Sequence, residues 1–180
     1  VAYESKSFSK QDYIDMYFFA KGLVIPHHYH GVSQVAATYL NREHNVPFID
    51  FYKKLFEYSR NGNGILNEEY KNHTNSLKQS LFEDRTWGRT IEGGDDFHIQ
   101  DNGATASFLY KNIDKVHKEV IDICKKEYNV DVSEACQFNK HIIDTYERDD
   151  TEKQFNKNWY SWFYDNKPLV AVNNIVSVAV

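Results

Sequence analysis

The chain has two cysteines, three prolines and one methionine among its 180 residues. It contains no apolar run near the roughly 18–20 residues that a membrane-spanning helix needs. Two cysteines allow one disulfide at most, and in an intracellular chain two thiols are more often plain buried side chains. Cys124 and Cys136 fall on what read as two different helices, where they are expected as plain buried thiols. Basic residues are also scarce: 21 Lys and Arg stand against 26 Asp and Glu, mixed along the chain, for a formal net charge of −5. A broad nucleic-acid footprint needs clustered Lys and Arg, so no nucleic-acid partner is expected. The N-terminus lacks a charged-then-apolar signal pattern, and a cytoplasmic protein with no membrane partner is expected. The first residue is Val1 rather than Met, which suggests a processed product or a piece of a longer protein.

What the chain does hold is apolar and aromatic mass. Hydrophobic residues make up 41% and aromatics 16%, with 13 Tyr and 12 Phe, enough burial to offset chain entropy and form a folded core. The length suits one domain better than two small ones.

Helical periodicity dominates. Ser9 followed by Asp12 reads as a helix start, and Tyr13, Met16, Tyr17, Ala20, Leu23 and Val24 recur on one face. Pro26 predicts the end of this helix, because the residue before a proline is pushed out of the helical region. A second helix is predicted from about His28 to His44 and a third from Pro47, closed by Asn61-Gly-Asn-Gly64. From Ile65 to about Glu83 the pattern is polar, predicting a shallowly buried helix with Leu66, Tyr70, Leu77 and Leu81 inward.

Residues 86–103 pack glycines and acids into a stretch long enough to read as a loop with a role. A helix through Leu109, Ile113, Val116, Val120 and Cys124 follows, and another opens at Ser133-Glu134. Thr151 and Gln154 read as a capping box before an aromatic turn or helix through Trp159, Trp162 and Phe163. The fold class read from this pattern is all-α: an irregular bundle of about six helices spanning 1–168, with the Gly/Asp-rich loop 86–103 and an extended C-terminal tail, 169–180, that has no visible strand partner.

His27, His28 and His30 invite a metal reading, since imidazole is the commonest transition-metal ligand. Their spacing puts adjacent rings in different directions and supplies no companion carboxylate or thiolate, so no metal ligand is assigned. Trp87-Gly88-Arg89 offers a stacking face and a fork for carboxylate or phosphate; a Trp that anchors the loop, with Arg at the surface, fits the same residues. Asp95 and Asp96 with Glu92 offer a hard-cation or acid–base cluster, although acids beside glycines are more often turn formers. No phosphate loop, nucleophile elbow or Cys–His pair occurs, and no catalytic residue is assigned.

The block Phe8-Ser-Lys-Gln-Asp-Tyr-Ile-Asp-Met-Tyr-Phe-Phe-Ala20, then Pro26-His-His-Tyr-His-Gly31, Tyr39-Leu40 and Phe48-Ile-Asp-Phe-Tyr52, resembles the region that follows the radical domain in cobalamin-binding radical S-adenosylmethionine proteins. Trp87-Gly-Arg89, Ala106-Ser-Phe-Leu109, Phe138-Asn-Lys-His141 and Trp162-Phe-Tyr-Asp-Asn-Lys-Pro-Leu169 follow in a similar order. The Cys-x3-Cys-x2-Cys run that would hold a 4Fe–4S cluster is missing, as is a doubly wound cobalamin-binding unit. The resemblance therefore implies an accessory C-terminal helical domain that packs on the parent's catalytic barrel and helps shape its substrate pocket. The cluster, S-adenosylmethionine and cobalamin would belong to the parent, with none held by this chain. It makes Trp87, Arg89, His27, His28 and His30 the candidate contacts to that catalytic domain or to a small-molecule or peptide substrate. A self-sufficient helical ligand- or protein-binding module and a His-based helical metalloprotein are the rival readings.

Overall fold

A computed structural model describes residues 7–83, 89–90, 98–99, 101–144 and 155–172. Helix α1, Lys10–Tyr17, begins as the sequence predicts: Ser9 Oγ accepts from the Asp12 amide at 3.2 Å and the Asp12 carboxylate accepts from the Ser9 amide at 2.8 Å, a reciprocal cap that satisfies two orphan donors.

The predicted stop at Pro26 is overturned. At Phe18 the backbone widens into a π-helical segment, Phe18–Tyr29, that carries Pro26 inside it. The His30 amide donates to the Ile25 carbonyl, five residues back, at 3.0 Å. Proline removes one donor from such a ladder, and here the helix continues past it. The second helix accordingly starts later than predicted. Helix α2 is Gln34–His44, because residues 28 and 29 still belong to the π segment.

Helix α3, Phe48–Asn61, starts after Pro47, and α4, Ile65–Phe82, follows Gly62 and Gly64. The shallow burial predicted for α4 is also wrong: Asn67, Glu69, His73, Thr74 and Ser76 are buried with its leucines. In the 86–103 region a two-residue ribbon pairs β1, Arg89–Thr90, with antiparallel β2, His98–Ile99. Helix α5, Asp101–Lys111, takes the last three residues assigned to the loop. Asn112 leaves helical geometry and separates α5 from α6, Ile113–Tyr128, which the periodicity merges into one. Asn45 and Asn129 end α2 and α6 in the left-handed conformation, which Asn tolerates better than most residues. Helices α7, Ser133–Asp144, and α8, Trp159–Tyr164, complete the bundle. The described residues thus form an all-α bundle of eight α-helices and one π segment, against about six expected. None is long and apolar enough to cross a membrane.

The π segment packs on α5, α3 on α4 and α2 on α7. One large apolar cluster joins Phe51 and Leu55 of α3, Val116 and Val120 of α6 and Phe138 of α7, while Ile14, Leu77 and Leu81 form a smaller one. Trp159 and Trp162 are buried in the first. Trp162 Nε1 donates to Glu43 at 2.7 Å, and Arg42 donates to the Trp162 carbonyl at 2.9 Å with its guanidinium 5.2 Å from the indole. Burial plus these directed bonds dock the short α8, which is too short to persist alone.

The start of the tail finds a partner inside the chain. Asn158 N–H donates to Val170 O at 3.1 Å and Val172 N–H to Asn156 O at 3.0 Å, while Lys157 bridges Ala171. The Thr151 and Gln154 cap and residues 173–180 lie outside the described residues.

Candidate functional site

On α4, Glu69, His73 and Ser76 recur at helical spacing along one face, and on α5 Asp101 and Thr105 lie one turn apart. Helical geometry lines each set into a stripe, and packing of α4 on α5 joins the stripes into a polar seam. Thr105 Oγ1 donates to Glu69 Oε1 at 2.7 Å and meets His73 Nδ1 at 3.0 Å. A hydroxyl has one proton to give. With it committed to Glu69, Thr105 accepts from His73, so Nδ1 carries the hydrogen. Ser76 Oγ donates to Asp101 Oδ1 at 3.0 Å.

Glu69 is 1% exposed and Asp101 4%. Taking carboxylates out of water is costly unless hydrogen bonds replace hydration, and the seam supplies those bonds from two helices. Aromatic rings wall it: the rings of Tyr17 and Phe18 stand 5.9 and 5.3 Å from His73. A Cβ at Gly22 would collide with the Phe18 ring and come within 3.0 Å of His73 Nδ1. Glycine there lets the π segment close on the seam. Chemically the seam holds one imidazole in a defined tautomer. Mechanically it ties α4, which leads into residues 84–100, to α5, which follows them.

The sequence-predicted residues part ways. His27 is buried, not a surface contact. Its Nδ1 lies 2.8 Å from Ser33 Oγ, and burial, with His117 nearby, pushes its pKa down to about 3. His117 Nε2–H donates to the Val32 carbonyl at 2.8 Å. His28 is half-buried, with Nδ1 3.0 Å from the Tyr52 hydroxyl. His30 is exposed, and its carbonyl accepts from Tyr110 of α5. Arg89 sits in β1 opposite Ile99, and β1 packs against α5. Trp87 lies outside the described residues, as do Glu92, Asp95 and Asp96. The His turn and β1 therefore both border α5, although far apart in sequence.

Among the described residues no group of three or more His, Cys, Asp and Glu is arranged to hold a metal ion. Cys124 and Cys136 are buried thiols. Burial pushes Cys124 up to about 12 and Cys136 higher still, so both rest as neutral thiols.

Sequence reasoning missed the seam. Its one signal was the spacing of Glu69, His73 and Ser76 on a single face of α4, which reads equally as a solvated face. No protein-family model, curated protein or solved structure matches this chain.

Proposed function

We propose that this chain is the accessory C-terminal helical domain of a cobalamin-binding radical S-adenosylmethionine enzyme, a cytoplasmic protein. On this reading it is not catalytic alone; it packs on the parent's catalytic barrel and shapes the pocket for a small-molecule or peptide substrate. The observation that carries the reading is the division within the His turn. His27 is buried, whereas Tyr29, two residues on, is 77% exposed and His30 is exposed beside it. An aromatic held out from a turn that is anchored on its inner side is the kind of group a protein interface buries.

The polar seam between α4 and α5 supports the same reading. It fixes both ends of the connection that carries Trp87 and Arg89, the residues that would face the substrate. The cluster, S-adenosylmethionine and cobalamin would be held by parts of the parent outside this chain.

A self-sufficient binding module is the second reading. Pairing of residues 170 and 172 with 158 and 156 favours it, since a domain cut from a larger sheet would leave such an edge without its partner. The coding frame upstream of Val1 separates the two. A Cys-x3-Cys-x2-Cys run in frame is expected for the accessory domain; a start codon directly upstream, with no such run, sinks it. In the full-length enzyme, Tyr29→Ala with His30→Ala should lower turnover at least tenfold while cluster content stays the same. Unchanged turnover in that variant, and in Trp87→Ala with Arg89→Ala, counts against the contact roles.

A further inference from the structure

Helices α2, α7 and the segment entering α8 enclose a cleft of about 510 Å³, lined by Tyr39, His44, Asp131, Glu134, Lys157 and Trp159 among others. The Tyr39 and Trp159 rings have centroids 5.3 Å apart at 57° and form two walls of a corner. The ammonium of Lys157 sits in that corner, 5.5 Å from the Tyr39 centroid and 5.6 Å from that of Trp159. Glu134 stands 4.0 Å from the same nitrogen, and its other oxygen accepts from the Asn156 amide at 2.9 Å, which fixes the carboxylate in place. Two aromatic faces and an oriented carboxylate converging on one point are the elements of a cation cage. Lys157 fills it with the chain's own cation.

We infer that this cleft is a binding site for a methylated ammonium ion, with the Lys157 side chain as its resident competitor. The backbone of Lys157 is held by the bridge to Ala171, so the side chain can leave while the walls stay. Its flexible stem is about one-third exposed, at 36%, and its withdrawal would uncover the face of the Trp159 indole, which is 1% exposed while Lys157 covers it. A primary ammonium is strongly hydrated and regains that hydration outside. A methylated ammonium has less hydration to lose, so aromatic faces and a carboxylate favour it in the cage. Lys157 occupies the corner in the native protein, so an incoming ammonium has to displace it, and affinity in the native protein stays low.

The test is a titration of the purified chain with tetramethylammonium chloride, using sodium chloride at equal ionic strength as control, read by NMR at the Trp159 indole. Lys157→Met keeps the apolar stem and removes the competitor. It should bind at least tenfold tighter than the native protein, with the largest shift at Trp159. Adding Tyr39→Leu or Glu134→Gln to that variant should return affinity to the native level. Choline and acetylated trimethyllysine, titrated likewise, distinguish a free solute from a lysine-borne ammonium by which binds tighter. Affinity in Lys157→Met no higher than in the native protein, or binding indifferent to Tyr39→Leu, overturns the site. Lys157→Gln provides the same comparison if the methionine variant does not fold.

Discussion

The carboxylate of Glu119 occupies the space that Gly64 leaves by having no side chain. Glu119, on α6, accepts hydrogen bonds from the Ile65 and Leu66 amides at the start of α4, and a Cβ at Gly64 would collide with it. Helix α4 has no side-chain cap of its own; the cap comes from across the bundle, where a carboxylate also meets the positive end of the helix dipole. Glu119→Ala should cost about 1–2 kcal/mol, the usual range for a lost N-cap. Gly64→Ala should cost a similar amount by displacing the same carboxylate. The double variant should then lose less than the sum, because both changes remove one interaction. Urea denaturation of the four proteins checks this, and strict additivity would show that Gly64 and Glu119 act independently.

Acid should weaken the fold through His27. Its pKa lies near 3 in the folded chain, lowered first by burial and then by His117, against 6.5 unperturbed. The unfolded chain therefore binds a proton that the folded chain refuses. Stability is complete above pH 6.5 and falls as pH drops toward 3. From pH 7.5 to pH 5 the linkage predicts a loss of about 2 kcal/mol from this group. His27→Asn, which can still bond Ser33 but does not titrate, should flatten that part of the profile. Parallel stability–pH curves for the two proteins would rule His27 out as the cause.

Asn139 of α7 should be intolerant of change. Fully buried, it accepts from the Val35 amide at 2.9 Å and donates to the Gly31 and Val32 carbonyls at 2.7 and 3.1 Å. One amide thus satisfies the irregular backbone between the π segment and α2. Asn139→Ala should cost about 2–4 kcal/mol, since each buried group stripped of its partner costs about 1–3. Asn139→Asp should be no better: it keeps the acceptor for Val35 but sets a carboxylate against two carbonyls. Thermal melts of both variants measure this, and a near-native midpoint for Asn139→Asp would contradict the assigned hydrogen bonds.

Thr105→Val tests the seam. The shape is kept while the hydroxyl that serves Glu69 and His73 is lost. A cost of about 2–3 kcal/mol is expected because both groups are buried, and Thr105→Ser should restore most of it. If serine and valine are equally destabilising, the loss lies in packing and not in the hydrogen bonds.

The local devices were legible in the sequence. Ser9 and Asp12 form a capping box from residues three apart, and the α6 stripe of Ile113, Val116, Val120 and Cys124 is buried as its spacing predicts. Pro26 was misread because a proline stops an α-helix by rule, and nothing local signals the change to a π ladder that carries the chain past it. The α5–α6 break was missed for a related reason. Leu109 and Ile113 keep helical spacing across Asn112, so the apolar period runs through a backbone interruption.

Fold class and the main helical faces follow from local sequence, because burial periodicity, caps and turn residues act within one or two helical turns. Tertiary structure alone decided which polar groups are buried and whom they serve: Glu69 with Thr105, Glu119 with α4, Asn139 with Val35, Lys157 between Tyr39 and Trp159. A polar side chain on an isolated helix looks the same whether it faces water or a partner dozens of residues away. Only packing supplies the partner that offsets its lost hydration.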